Sequence, residues 1–112
     1  MRYGKLSTPL MIQLLLILYQ SLDNNGGWVL NSKIRPWETR GTNIKDIRNR
    51  IQKMAHYRGY VETKKLSPQK IYVRITRHGL GYLKYRGYIN SDQLEEAKKK
   101  LEWNKMLSPP LE

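Results

Sequence analysis

The chain is predicted to be an α+β domain, and three observations predict it. Between Asn43 and Leu83 the apolar spacing changes from helical (Ile44, Ile47, Ile51, Met54) to alternating (Ile71, Val73, Ile75) and back to helical (Leu80, Leu83). Turn formers punctuate the pattern at Asp23–Gly27, Gly41-Thr42, Gly59 and Ser67-Pro68. Charge is also unevenly placed. The net charge is +12, and residues 42–89 hold twelve Lys/Arg against two acids. The balance is five against two in residues 1–41 and four against five in residues 90–112.

Thr8 before Pro9 predicts a helix start, with a side-chain acceptor at the cap and a proline whose missing N–H costs nothing in the first turn. This helix is expected to run to about Leu22 and to stop in Asp23-Asn24-Asn25-Gly26-Gly27. It is apolar on nearly every side, so it belongs either at the centre of a core or against a second chain. Trp28-Val29-Leu30 is a short strand candidate, expected to pair with the later hairpin. Residues 31–40 are ambiguous, because Pro36 limits where a short helix can begin. Asn43 is expected to cap the next helix, with Asp46 three residues on, and Gly59 to end it.

Two strands follow, Tyr60–Lys64 and Lys70–Thr76, joined by a loop over Lys65-Leu66-Ser67-Pro68-Gln69. Thr76 is placed to cap a short helix ending near Gly87. Ser91 is placed to cap a last helix, to about Met106, with Glu95–Lys99 and Glu96–Lys100 pairs. The narrow stripe Leu94, Ala97, Leu101 packs either within the chain or on a partner helix. The expected division is a domain over residues 1–90 and a C-terminal helix and tail over 91–112.

A length of 112 residues suits one small core. Cysteine is absent, which excludes disulfides, thiolate metal sites and a thiol nucleophile. The longest apolar run, Leu10–Leu18, is too short for a bilayer, which needs about 20 residues, and no small-residue cleavage site follows it. A cytoplasmic protein without membrane, cofactor, metal or small-molecule effector is the expectation.

The excess of base implies a polyanion partner. On a helical wheel Lys45, Asp46, Asn49, Gln52, Lys53 and His56 are assigned to the side opposite the isoleucines, with Arg48 and Arg50 flanking. Amides pair bidentately with adenine, arginine with guanine, and lysine with guanine or phosphate. Thr42, Asn43, Lys45, Arg48, Asn49, Gln52 and Lys53 are therefore the expected major-groove contacts. Lys64, Lys65 and Lys70 are the expected phosphate or minor-groove contacts, with Arg74 and Arg77 adding to the backbone. An ordinary solvated helix face and a lysine-protected strand edge are the plainer readings of the same residues. Trp28, Trp37 and Trp103 are expected in the core or an interface.

Gly59-Tyr60-Val61, then Ile71-Tyr72-Val73-Arg74-Ile75-Thr76-Arg77-His78-Gly79-Leu80, then Leu83, resemble the back half of MarR-like and PadR-like winged helix-turn-helix regulators. The likeness covers about a third of the chain. It implies a three-helix core with a β-hairpin wing, here with an added C-terminal helix. It also implies sequence-specific binding of double-stranded DNA as a homodimeric transcriptional regulator. The departures are Pro36 in the preceding short helix, a brief wing and no sensor domain. Small basic winged helices of archaeal viruses and plasmids are similar in composition, which would place the protein in a host cytoplasm.

Two other classes compete. Glu62-Thr63-Lys64 matches half of a magnesium-dependent nuclease site, but Asp46 and Glu38 are the only local acids to complete it. His56 and His78 lack a nucleophile constellation, so an enzyme is not expected. A winged helix serving RNA or protein contacts is the nearer rival, since fold does not fix function.

Overall fold

A computed structural model describes the backbone of residues 4–34 and 44–104, and the side chains of residues 8–34 and 49–104. Thr42 and Asn43, expected at the head of the basic helix, lie outside the described residues, as do Pro36 and Trp37; the side chains of Lys45 and Arg48 lie outside them too. The described elements are helix α1 (Gly4–Gln20), a 3-10 turn (Asn25–Gly27), strand β1 (Val29–Leu30), a second 3-10 turn (Asn31–Lys33), helix α2 (Ile44–Tyr57), strands β2 (Val61–Ser67) and β3 (Lys70–Ile75), and helices α3 (Arg77–Tyr85) and α4 (Ser91–Asn104). The chain is thus α+β, with four described helices and a three-stranded antiparallel sheet in the order β1-β3-β2.

Helix α1 passes through the core. Met11, Ile12, Leu14, Leu15 and Leu18 are buried among Ile51, Ala55, Val73, Ile75, Leu80 and Leu83. Each fully buried aliphatic side chain contributes about 1.5–3 kcal/mol. The all-round apolar character of α1 is largely consumed by the chain's own interior, leaving Leu16 and Ile17 half-buried. The helix starts at Gly4, so Thr8 is not its cap and Pro9 lies inside it. A proline there removes one backbone bond, a loss of about 3 kcal/mol or more that burial of several leucines outweighs.

Helix α2 ends as expected. Gly59 has φ 78°, its N–H donates to His56 O (3.0 Å), and the Tyr60 N–H donates to Ala55 O (2.9 Å). These two bonds form a Schellman stop, which needs the left-handed residue that glycine supplies. Strand β1 pairs with β3 through Val29–Val73 and Leu30–Tyr72, as the apolar triplet suggested.

The hairpin differs from its expected form. Residues 65–67 belong to β2, the turn is only Pro68-Gln69, and Ser67 faces Lys70. A register shift between Lys65 and Ser67 absorbs the extra residue as a bulge. The Lys70 N–H donates to Ser67 Oγ (3.1 Å), and Pro68 suits the first corner of the turn. The hairpin is consequently longer and stiffer than a five-residue loop would make it.

Thr76 caps α3 as expected, accepting from the Gly79 N–H (3.1 Å) while its hydroxyl donates to Gly59 O (2.5 Å). One residue thereby joins the start of α3 to the end of α2. Helix α4 is capped by Asn90 and not by Ser91. Asn90 Oδ1 accepts from the Gln93 N–H, and Gln93 Oε1 accepts from the Asn90 N–H, both at 2.8 Å. This reciprocal box satisfies two donors where the Ser91 reading satisfies one. Leu94 and Ala97 join the common core, with Leu101 against it, so α4 packs within the chain on α3. Lys98 pairs with Glu95 (3.4 Å) and Lys100 with Asp23 (3.1 Å), in place of the expected spacing of four. Among the described residues no helix is long and apolar enough to cross a membrane.

Candidate nucleic-acid interface

The outward face of α2 and one face of the hairpin enclose an open groove of about 460 Å³, lined by Asn49, Gln52, Lys53, His56, Tyr57, Asn31, Thr63 and Ile71. Helix geometry explains the α2 contribution. Ile51 and Ala55 are buried, so Asn49, Lys53 and His56 turn outward, and all three are exposed. Tyr57 is 91% exposed at the end of this row. Arg50 is exposed on its flank.

Gln52 departs from its expected position. It is only 8% exposed and donates through Nε2 to Asn31 Oδ1. The reason is angular: on the wheel Gln52 lies only about 60° from Ala55, at the rim of the buried side. Its amide forms the floor of the groove and ties α2 to the turn after β1. It is not an outward base-reading group.

The pairing register sorts the hairpin cations. Val61 faces Ile75, Thr63 faces Val73 and Lys65 faces Ile71. Directly opposed residues share a face of the sheet, and neighbours along a strand alternate. Lys65 therefore shares the groove face with Thr63 and Ile71. Lys64 faces Tyr72 on the other side, with Glu62 and Arg74. Lys64 and Lys65 are exposed and Lys70 is partly exposed. The three surround the hairpin tip but do not form one row.

Arg74 corrects the expectation that it contacts a phosphate. It is 7% exposed, and three of its guanidinium hydrogen bonds go to the chain's own groups. Nε donates to Glu62 Oε2 (3.2 Å), and Nη1 donates to Gly26 O (3.1 Å) and Asn104 O (3.0 Å). Its Cζ lies 4.3 Å from the centre of the Trp28 ring. The cation also sits at the C-terminal end of α4, where the helix dipole favours positive charge. Asn104 completes the arrangement by donating from Nδ2 to Leu22 O (2.9 Å). Arg74 is a structural fastener between sheet, turn and last helix. The sequence pattern hid this because a cation alternating with Ile and Val along a strand resembles an outward residue.

The same bond bears on Glu62, the carboxylate of the nuclease-like triplet, which is committed to Arg74. Among the described residues no three His, Asp or Glu side chains converge as a metal site would require. Trp28 is buried as expected, whereas Trp103 is exposed and outside the core.

Tyr57 was not among the expected contacts. Its signal was its place one turn after Lys53, but exposure of a tyrosine depends on what packs over it. Comparison with protein-family models, curated proteins and solved structures finds no match to this chain.

Proposed function

We propose that the protein is a winged helix-turn-helix DNA-binding regulator, with α2 in the major groove and the β2–β3 hairpin as the wing. The observation that carries this reading is the joint placement of Asn49, Lys53 and His56 of α2 around one groove with Thr63 and Ile71 of the hairpin, whose sheet face Lys65 shares. A helix offering an amide and a lysine suits base edges, and an adjoining lysine-bearing hairpin suits phosphates. The order helix, hairpin, helix and the third strand β1 are also those of a winged helix. Asn49 and Lys53 are the base-facing residues in this reading, with Lys45 and Arg48 on the same helix. Lys64, Lys65 and Lys70 hold the backbone. A homodimer would set two such helices on successive turns of a palindromic site.

The test is a salt series of binding to duplex DNA, single strands and RNA by the intact chain. Duplex binding is expected to fall steeply with salt. Lys65→Ala is expected to weaken all duplexes alike and to flatten the log–log salt slope by about 1. Asn49→Ala is expected to erode the preference among duplex sequences by roughly 1–3 kcal/mol at one base pair. If both variants bind every duplex like the parent, α2 and the hairpin are not the interface.

A further inference from the structure

Helix α3 carries a glycine that its own fold does not require. Gly81 is exposed, and a Cβ built there would meet nothing within 4 Å. Gly79, two residues earlier, is the contrast: a Cβ there would collide with the Tyr60 carbonyl. A glycine inside a helix weakens it relative to alanine. At Gly79 close packing explains that loss, and at Gly81 nothing within the described chain does.

The helix surface at Gly81 is open, and the side chains around it carry no acid. Residues three and four positions away on a helix are its surface neighbours, here Arg77, His78, Lys84 and Tyr85, and all four are exposed. Tyr85 is 84% exposed. His78 is held in place by Tyr60 (ring centres 5.2 Å apart), which stacks on Tyr82 at 4.6 Å. From Thr63 to Ser91 the chain contains no acid. Glu62 and Glu102 border a crevice beside Arg77. Arg86 lies about 160° round the helix from Lys84, with its guanidinium over the Tyr82 ring (5.9 Å). Anion contact on this face therefore falls chiefly to Lys84.

We propose that this outer face of α3 is a second binding surface, which takes a single-stranded polynucleotide with a base against Tyr85 and its phosphate backbone against Lys84. Flat exposed rings beside cations are what unpaired bases and their backbone require. A duplex keeps its base faces stacked away from such a ring, so the single strand is favoured over the duplex. The bare backbone at Gly81 lets the strand approach the helix closely. The surface is separate from the α2–hairpin groove. Helix α3 follows the base of the hairpin, about 17 Å along β3 from its tip, and the proposal does not depend on duplex binding.

The test measures labelled oligo-dT, oligo-U, a random duplex and phosphatidylglycerol vesicles against the parent protein and three variants. Tyr85→Ala is expected to weaken oligonucleotide binding about tenfold, with duplex binding unchanged. Gly81→Ala is expected to raise the melting temperature by about 3–6 °C yet weaken the oligonucleotide, a combination that misfolding cannot produce. Lys65→Ala is expected to leave oligonucleotide binding within about twofold while weakening duplex. The oligo-dT and oligo-U arms separate a DNA strand from an RNA strand. Oligonucleotide binding that is absent, that is unaffected by Tyr85→Ala and Gly81→Ala, or that is lost with Lys65→Ala overturns the proposal. Vesicle binding that depends on Tyr85, without oligonucleotide binding, overturns it in favour of an anionic membrane surface.

Discussion

Two cations on opposite faces of the β2–β3 hairpin, Arg74 and Lys65, are used in opposite ways. On one face Arg74 is buried against Trp28 and donates to Glu62, Gly26 and Asn104. On the other, Lys65 is exposed beside Ile71 and the groove under α2. Both are basic residues of one short hairpin, and both look alike as contributions to net charge. They differ in what surrounds them. A guanidinium has five donors in a planar fork, so carbonyls and a carboxylate from separate elements can saturate it. Lys65 instead carries a compact ammonium on a flexible, exposed stem and keeps its charge in water. Basic residues in a sequence therefore count toward a polyanion surface only after the buried ones are removed.

The largest break in this comparison is Arg74→Ala. It strands the Gly26 and Asn104 carbonyls and removes the ring contact, and is expected to destabilise the fold by about 3 kcal/mol in urea denaturation. A loss below about 1 kcal/mol would mean that Arg74 is not the fastener described. Gly79→Ala should follow at about 2 kcal/mol, because α3 must move off the Tyr60 carbonyl. Gln52→Ala should cost about 1–2 kcal/mol by leaving Asn31 without its partner, and calorimetry would show it as a lowered melting temperature. The smallest effect on stability belongs to Lys65→Ala, within about 0.5 kcal/mol. That variant sharpens the contrast, since its expected consequence lies in the salt dependence of duplex binding and not in folding.

Much of the architecture was legible in local patterns. The alternation Ile71, Val73, Ile75 marked a strand with one apolar face, and Val73 and Ile75 are fully buried in β3. Tyr72 and Arg74 on its other face are buried too, so the strand is not half-buried. Gly59 and Thr76 marked a helix end and a helix start because each supplies a conformation or an acceptor that the backbone needs there. Less local features were misjudged. Pro9 suggested a helix boundary, but burial of the leucines beyond it carries α1 through. Asn90, not Ser91, caps α4, since only Asn90 has Gln93 at the spacing that returns its bond.

The candidate site divides in the same way. The exposure of Asn49, Lys53 and His56 follows from the 3.6-residue repeat once Ile51 and Ala55 are buried. The burial of Gln52 and Arg74 does not, because their partners, Asn31, Gly26 and Asn104, lie 21, 48 and 30 residues away. The sequence by itself determined the element types, their order and the concentration of base on the helix and hairpin. Periodicity, capping and charge are properties of neighbours along a chain. Only the tertiary structure decided which cations are saturated inside and which face the groove. That choice depends on carbonyls and rings from distant segments, and no local pattern encodes where those segments meet.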